Sequence, residues 1–293
     1  MNLRNVISNL KERWRQAPHK GRFVIAEIAL RARVNLRFLS FRTKDGSRIC
    51  FHDEGIPWGL WKGTYGDHWS IQFCLDWLKE GETAIDVGAN IGHFAVAMAC
   101  KVGPKGRILA FEPNPKLVRC VLENAHANAL TNIVCKPYAL SDRDAISTFF
   151  IPKRHSGEAA LGRKAKFGHY RQVQVQCRSF ASLASELDLS DCPIPLMKVD
   201  VEGYELDVFR GLGKTVEHIH AIMFEFDKDN YAERGTTGEE VLAFVSALGF
   251  SIFQVDSGAQ EFRTPATDVL SCDLIAVRDV RELTARTGYR LAG

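Results

Sequence analysis

Four short stretches hold the residues of this chain whose types and spacing could do chemistry. The first is a glycine turn, Asp86-Val87-Gly88-Ala89-Asn90-Ile91-Gly92. Glycine lacks a Cβ and accepts positive φ, so such a turn carries backbone and a helix N-terminus up to a ligand. The second is Glu112, twenty positions after Gly92 and just before Pro113. A carboxylate at a strand tip beside a glycine turn accepts both hydrogen bonds of a ribose diol. The third is Ala139-Leu140-Ser141-Asp142, read as a turn whose backbone and Ser or Asp side chains could border a nucleobase. The fourth is Lys198-Val199-Asp200-Val201-Glu202-Gly203-Tyr204-Glu205. One lysine and three carboxylates at the end of an apolar strand are costly unless paired or functional. A general base would be sought there, with Lys198, Asp200 and Glu202 as its candidates.

The glycine register excludes two familiar ligand classes. A dinucleotide fingerprint needs a third glycine where His93 stands, and no Gly-Lys-Ser/Thr follows for a phosphate loop. What remains is Asp86-x-Gly88-x-Asn90-x-Gly92, which taken alone also suits a strand-to-helix turn that binds nothing.

The elements around these stretches decide where they meet. Thr83–Val87, Arg107–Phe111, Asn132–Lys136, Pro195–Val201 and Ala221–Glu225 read as core strands, followed by Gly249–Val255 and Leu270–Val277. Helices are expected from Phe94 after the glycine turn, and over Ile71–Lys79, Lys116–Ala129 and Gly238–Leu248. Alternating strands and helices imply a doubly wound, mostly parallel sheet, whose ligands bind beyond the carboxyl ends of the strands. The glycine turn, Glu112, Ser141, Lys198, Asp200, Glu202 and Glu225 all fall on that edge. Ser147–Ile151 and Gln172–Cys177 read as strands around a basic insertion, Pro152–Arg171, expected to be a mobile loop near a substrate entrance.

Residues 1–37 read as one or two basic helices, and Leu39–Arg42 and Ser47–Phe51 as a hairpin about Lys44-Asp45-Gly46. The 293-residue chain thus divides into an extension over 1–70, a main domain over 71–280 and a tail over 281–293. An apolar content of 46% supports a full core. Residues 1–48 carry a net charge of +9 in a chain whose total is +3. That asymmetry suits weak peripheral contact with an anionic membrane, or nucleic acid, or simply a solvated helical face. The eight cysteines are scattered without a Cys-x-x-Cys pair, which points to a cytoplasmic protein rather than a disulfide or zinc framework. No apolar run approaches the ~20 residues that span a bilayer, and no secretory leader is recognised.

Together the stretches Ile85–Gly92, Phe111-Glu112-Pro113-Asn114-Pro115, Ala139–Asp142 and Lys198–Glu205 resemble the FkbM family of S-adenosylmethionine-dependent methyltransferases. Asn90 replaces the usual middle glycine of the class I motif, and His93 stands where Tyr or Phe is common. The resemblance implies a Rossmann-like class I sheet of seven strands with the last antiparallel. It also implies S-adenosylmethionine as methyl donor and O-methylation of a sugar, glycan or secondary metabolite. Gly88, Ala89, Asn90 and Gly92 would approach its amino-acid moiety, and Asp86 would order the turn or bond the ammonium. Glu112 would hold the ribose, and Ala139, Ser141 and Asp142 would border adenine. Asp200 would lie nearest the sulfonium, with Lys198, Asp200 and Glu202 serving catalysis. A metal on Asp200, Glu202 and Glu225 is not expected, because no histidine stands at ligand spacing. The alternative is a nucleic-acid-directed methyltransferase or binding protein. Against it, no Asn/Asp-Pro-Pro-Tyr/Phe motif follows the fourth core strand, and stacking aromatics are not interleaved with the basic residues. A third reading is a non-catalytic domain that binds S-adenosylmethionine. The sequence leaves the acceptor and the oligomeric state open.

Overall fold

Apolar runs with both faces to bury become the interior strands of a parallel sheet. The computed structural model describes residues 14, 19–32, 36–52, 55–63, 68–152, 160–161, 170–189, 191–256, 258, 260–266 and 269–292. In chain order these form α1 (Lys20–Ala32), β1 (Leu36–Arg42), β2 (Arg48–Phe51), α2 (Gly55–Lys62), α3 (His68–Trp77), β3 (Thr83–Val87), α4 (His93–Val102), β4 (Arg107–Phe111), α5 (Pro115–Ala127), β5 (Ile133–Lys136), β6 (Tyr138–Leu140), β7 (Ala145–Pro152), β8 (Ala160–Leu161) and β9 (Tyr170–Arg178). Then come α6 (Phe180–Glu186), β10 (Ile194–Val199), α7 (Glu205–Arg210), a 3-10 segment (Gly213–His218), β11 (Ile219–Asp227), α8 (Lys228–Glu233), α9 (Gly238–Ala247), β12 (Ser251–Asp256), β13 (Glu261–Arg263), β14 (Ser271–Val277), α10 (Val280–Thr287) and β15 (Arg290–Leu291).

The main sheet runs β15-β13-β12-β14-β11-β10-β3-β4-β5. From β5 to β11 the strands are parallel, and β14 is antiparallel to both β11 and β12. This is the expected seven-stranded arrangement, with β13 and β15 added at one edge. Side-chain alternation sends Ile85, Leu109, Met197 and Ile222 to one face, under α6, α7 and α9. Ala84, Ile108, Leu196 and Ala221 go to the other, under α3, α4 and α10. Asp86 and Lys198 share the phase of Ala84 and Leu196 and are cross-strand neighbours in the register of β3 and β10. Two charged groups are thereby delivered to one spot beneath α4.

A second sheet, β6-β9-β7-β8, leaves the main one after β5. Its first strand corrects the turn expected at Ala139–Asp142, because Ala139 and Leu140 pair in parallel with Cys177 and Arg178. The stretch expected to be a C-terminal tail is also structured. Arg286 donates to the Trp77 carbonyl and the Glu82 carboxylate at 2.9 Å each, which pins α10 against α3. Of the basic insertion, β7 takes in Pro152, β8 holds Ala160 and Leu161, and β9 starts at Tyr170; residues 153–159 and 162–169 lie outside the described residues. Residues 1–13, 15–18 and 33–35, where part of the expected basic helices falls, lie outside them as well. Among the described residues no helix is long and apolar enough to cross a membrane.

Candidate active site

The turn from β3 to α4 is built from three left-handed residues, Gly88 (φ 78), Asn90 (φ 53) and Gly92 (φ 81). Asparagine is among the side-chain-bearing residues that best tolerate this region, which explains how Asn90 replaces a glycine. At Gly88 no replacement fits, because a Cβ would strike the Asp200 carbonyl. That close approach lets the Asp200 N–H donate to the Val87 carbonyl at 3.0 Å, tying the β3 and β10 tips together.

Four amides of this turn are already committed. Gly88 and Ala89 both donate to the Phe111 carbonyl, at 2.9 and 3.1 Å, and Gly92 donates to Ala89. The Asn90 N–H donates to Glu112 Oε2 at 2.8 Å. The turn therefore presents backbone surface and the Asn90 side chain, rather than a nest of free amides. Asn90 Oδ1 is buried without a hydrogen-bond partner.

Glu112 is buried, and its Oε1 accepts from the Asn114 N–H at 2.8 Å. Asn114 in turn caps α5 through its side chain. Each carboxylate oxygen so holds one amide and keeps further acceptor capacity. Burial pushes the Glu112 carboxyl up to about 8, against the pull of its two amides.

Lys198 Nζ lies 3.1 Å from Asp200 Oδ2, 3.8 Å from Asp86 Oδ1 and 4.6 Å from the centroid of Phe94. Burial alone would lower its pKa, but the carboxylates of Asp200 and Asp86 outweigh it and hold the ammonium charged. Asp86 is fully buried, and its carboxyl is raised by that burial while Lys198 and His93 pull it back. We take Lys198 as the fixed positive charge of the pair, since it has two carboxylate neighbours and a ring face. Glu202 has a φ of 56, and its side chain accepts from Asn230 Nδ2 at 3.2 Å. Glu205 receives the Val201 N–H at 3.0 Å and so shapes the loop carrying Glu202.

One pocket gathers these groups. Gly88, Asn90 and Glu112 line one part of it, and Lys198, Asp200, Glu202, Glu225 and Asp273 another. His93 and Phe94 join them at the start of α4. Tyr138, Ala139, Leu140, Phe149 and Leu161 form an apolar wall from the second sheet. Asp86, Ala89 and Gly92 do not line the pocket. Ser141 and Asp142 also lie off the pocket. The Ser141 N–H donates to Arg178 at 2.9 Å, its carbonyl abuts Gly211, and Asp142 lies 3.5 Å from Arg143.

Asp273 and Tyr138 escaped the sequence reading. A lone acid inside the apolar strand Ser-Cys-Asp-Leu-Ile-Ala-Val was the available signal for Asp273, which accepts a hydrogen bond from Ser70 Oγ. Asp200, Glu202 and Glu225 each place an oxygen within 4.8 Å of the others. Burial, followed by the charges of Asp200 and Glu202, drives the Glu225 carboxyl well up, which favours its protonated form.

The methyltransferase FkbM domain matches residues 86–252, more than half of the chain. Hexuronic acid methyltransferase AglP of Haloferax volcanii is 29% identical over 161 residues, 55% of this chain and 62% of AglP. Methyltransferase 1 of Beauveria bassiana is 30% identical over 144 residues, covering 44% of this chain and 57% of its own length. Methyltransferase sdnD of Sordaria araneosa is 29% identical over 181 residues, 52% of this chain and 68% of sdnD. The chain thus spans less than two thirds of the first two relatives. The sheet order, the glycine turn facing Glu112 and the matched domain agree: this chain belongs to the FkbM family of S-adenosylmethionine-dependent methyltransferases.

Proposed function

We propose that this chain methylates a hydroxyl group of a sugar, glycan or secondary metabolite, with S-adenosylmethionine as donor. One observation carries the reading: a single pocket joins Asn90 and Glu112 to Lys198, Asp200 and Glu202. When bound, S-adenosylmethionine supplies a methyl group already activated on a sulfonium. The residues fit that molecule by chemistry. Glu112 offers acceptor capacity for a ribose diol, the orphaned Asn90 Oδ1 offers an acceptor for an ammonium, and Tyr138, Ala139 and Leu140 offer an apolar border for a base.

Alignment supplies much of the acceleration in such a transfer, with effective molarities on the order of 10⁵ M in favourable cases. A hydroxyl acceptor also has to lose its proton, worth about 10²–10⁴ in rate. The carboxylates beside Lys198 favour its charged form and burial favours the protonated form of Glu225, which disfavours both as acceptors of that proton. Asp200 and Glu202 are left for it, while Lys198 fixes the Asp200 carboxylate. The name of AglP, a hexuronic acid methyltransferase, supports a sugar acceptor. Within this reading residues 71–280 are the catalytic unit, and the basic stretch before them makes a peripheral contact.

The test is incubation with methyl-labelled S-adenosylmethionine and fractionated cell extract. Label is expected in a glycan or small-metabolite fraction as a base-stable ether. Asp200→Asn should abolish transfer while keeping affinity for S-adenosylhomocysteine. Label confined to nucleic acid or to no fraction, or full turnover in Asp200→Asn, defeats the reading.

A further inference from the structure

Helix α1 is apolar on two sides, and among the described residues only one of them is packed. Phe23, Ala26 and Ala29 turn inward, where the two alanines pack in a cluster with Phe51 and Trp58. Val24, Ile25 and Ile28 face outward and are 46%, 55% and 61% exposed. Strand β1, whose Leu36 packs against the same cluster, adds Phe38 at 81% and Leu39 at 45%. Large aliphatic side chains left in water on one helix face mark a surface that meets something else.

Charge selects what that something is. The stretch 1–48 nets +9, and α1 carries exposed Lys20 and Arg22 beside its outward aliphatic face. Its one acid, Glu27, is neutralised by Lys62 at 3.0 Å. RNA would engage the cations but leave Val24, Ile25 and Ile28 wet. A second copy would cover the aliphatics but set two strongly cationic stretches against each other. An anionic lipid surface satisfies both features, taking aliphatic side chains into its interface and attracting lysine and arginine to its headgroups.

We propose that α1 docks this protein peripherally on an anionic membrane, with Val24, Ile25 and Ile28 as the inserted side chains. The docking element is continuous with the pocket. Ile49 of β2 and Ile56 of α2 pack on Ile91 and Leu117, and Leu117 lines the pocket wall. None of the inserted residues touches the pocket, so the proposal stands apart from the identity of the acceptor.

Vesicle co-sedimentation tests it, with phosphatidylcholine alone and with phosphatidylcholine mixed with phosphatidylglycerol. The protein should pellet with the anionic vesicles, stay in solution with the neutral ones, and be released by high salt. The exposed triple change Val24→Ser, Ile25→Ser, Ile28→Ser should weaken binding roughly tenfold or more. Circular dichroism and affinity for S-adenosylhomocysteine should be unaltered in that variant, separating lost docking from lost folding. No pelleting with either vesicle, or pelleting that the triple variant leaves unchanged, overturns the proposal. So does a dimer that the triple variant dissolves without any lipid binding, or RNA retained through the same three residues.

Discussion

The Asn90 N–H and Glu112 Oε2 are hydrogen-bonded at 2.8 Å, so the glycine turn and the tip of β4 are fixed to each other without a ligand. Asn90 makes that bond from a positive φ of 53, and the bond helps hold a buried carboxylate at the pocket. Both residues line the pocket.

Donor binding should depend on pH through Glu112. Burial raises its carboxyl from an ordinary 4.5 to about 8, so the ligand-free fold keeps a proton that the unfolded chain releases. That contribution to stability is present below about pH 4.5 and is lost as pH rises through about 8. A ribose diol wants the ionised form, so affinity for S-adenosylhomocysteine should rise from about pH 6 and level off above about pH 8. Calorimetry in buffers of different ionisation enthalpy should show proton release on binding at neutral pH. Glu112→Gln should bind weakly and without pH dependence, whereas a flat wild-type profile would remove Glu112 from the ribose.

Gly88 and Asn90 should respond to substitution in opposite ways. Gly88→Ala forces a Cβ into the Asp200 carbonyl and should cost on the order of 1–3 kcal/mol, with turnover falling further as the β3 and β10 tips part. Asn90→Gly keeps the backbone and should lie within about 1 kcal/mol of wild type. Chemical denaturation of the two variants beside their kcat values decides the matter. Equal stability in Gly88→Ala would contradict the close approach.

Lys198→Met should be among the most destabilising changes in the pocket. It strands Asp86, which is fully buried, beside Asp200 with no cation between them. Removing one partner of a buried ion pair costs about 3–5 kcal/mol. The double variant Asp86→Asn, Lys198→Met should recover a good part of that loss in thermal unfolding. Failure to recover it would mean that the two side chains are not coupled.

Turnover should survive chelation. The carboxylates Asp200, Glu202 and Glu225 are close enough to share a cation, but Lys198 already pairs with Asp200 and burial favours the protonated form of Glu225. Treatment with EDTA is expected to leave kcat unchanged, and Glu225→Gln should be nearly silent because an amide mimics a protonated carboxyl. Loss of activity restored by magnesium would turn the three carboxylates into ligands.

What the sequence revealed follows from how local each signal is. Gly88, Asn90 and Gly92 lie within one turn just after β3, and β10 is wholly apolar up to Lys198, so the turn and the end of that strand were legible from spacing. The strand at Tyr138–Leu140 was read as a turn because a chain leaving β5 could turn at once or begin a second sheet. Pairing of Tyr138–Leu140 with Gln176–Arg178, almost forty residues away in sequence, chose the second course. The commitment of the Gly88 and Ala89 amides to Phe111 was equally hidden, since it depends on register between β3 and β4. Asp273 reaches the pocket because β14 runs antiparallel, which brings residues near its start level with Glu225.

Strand β15 closes one flank of the main sheet with only Arg290 and Leu291, and the Ala292 N–H satisfies the Phe262 carbonyl just beyond. A border so short, and bearing a cation, gives a neighbouring molecule little ladder to extend. Trimming the chain before Arg290 would bare β13 along its length. Shortened versions of this protein should then be prone to sheet-mediated clumping even with their pocket intact.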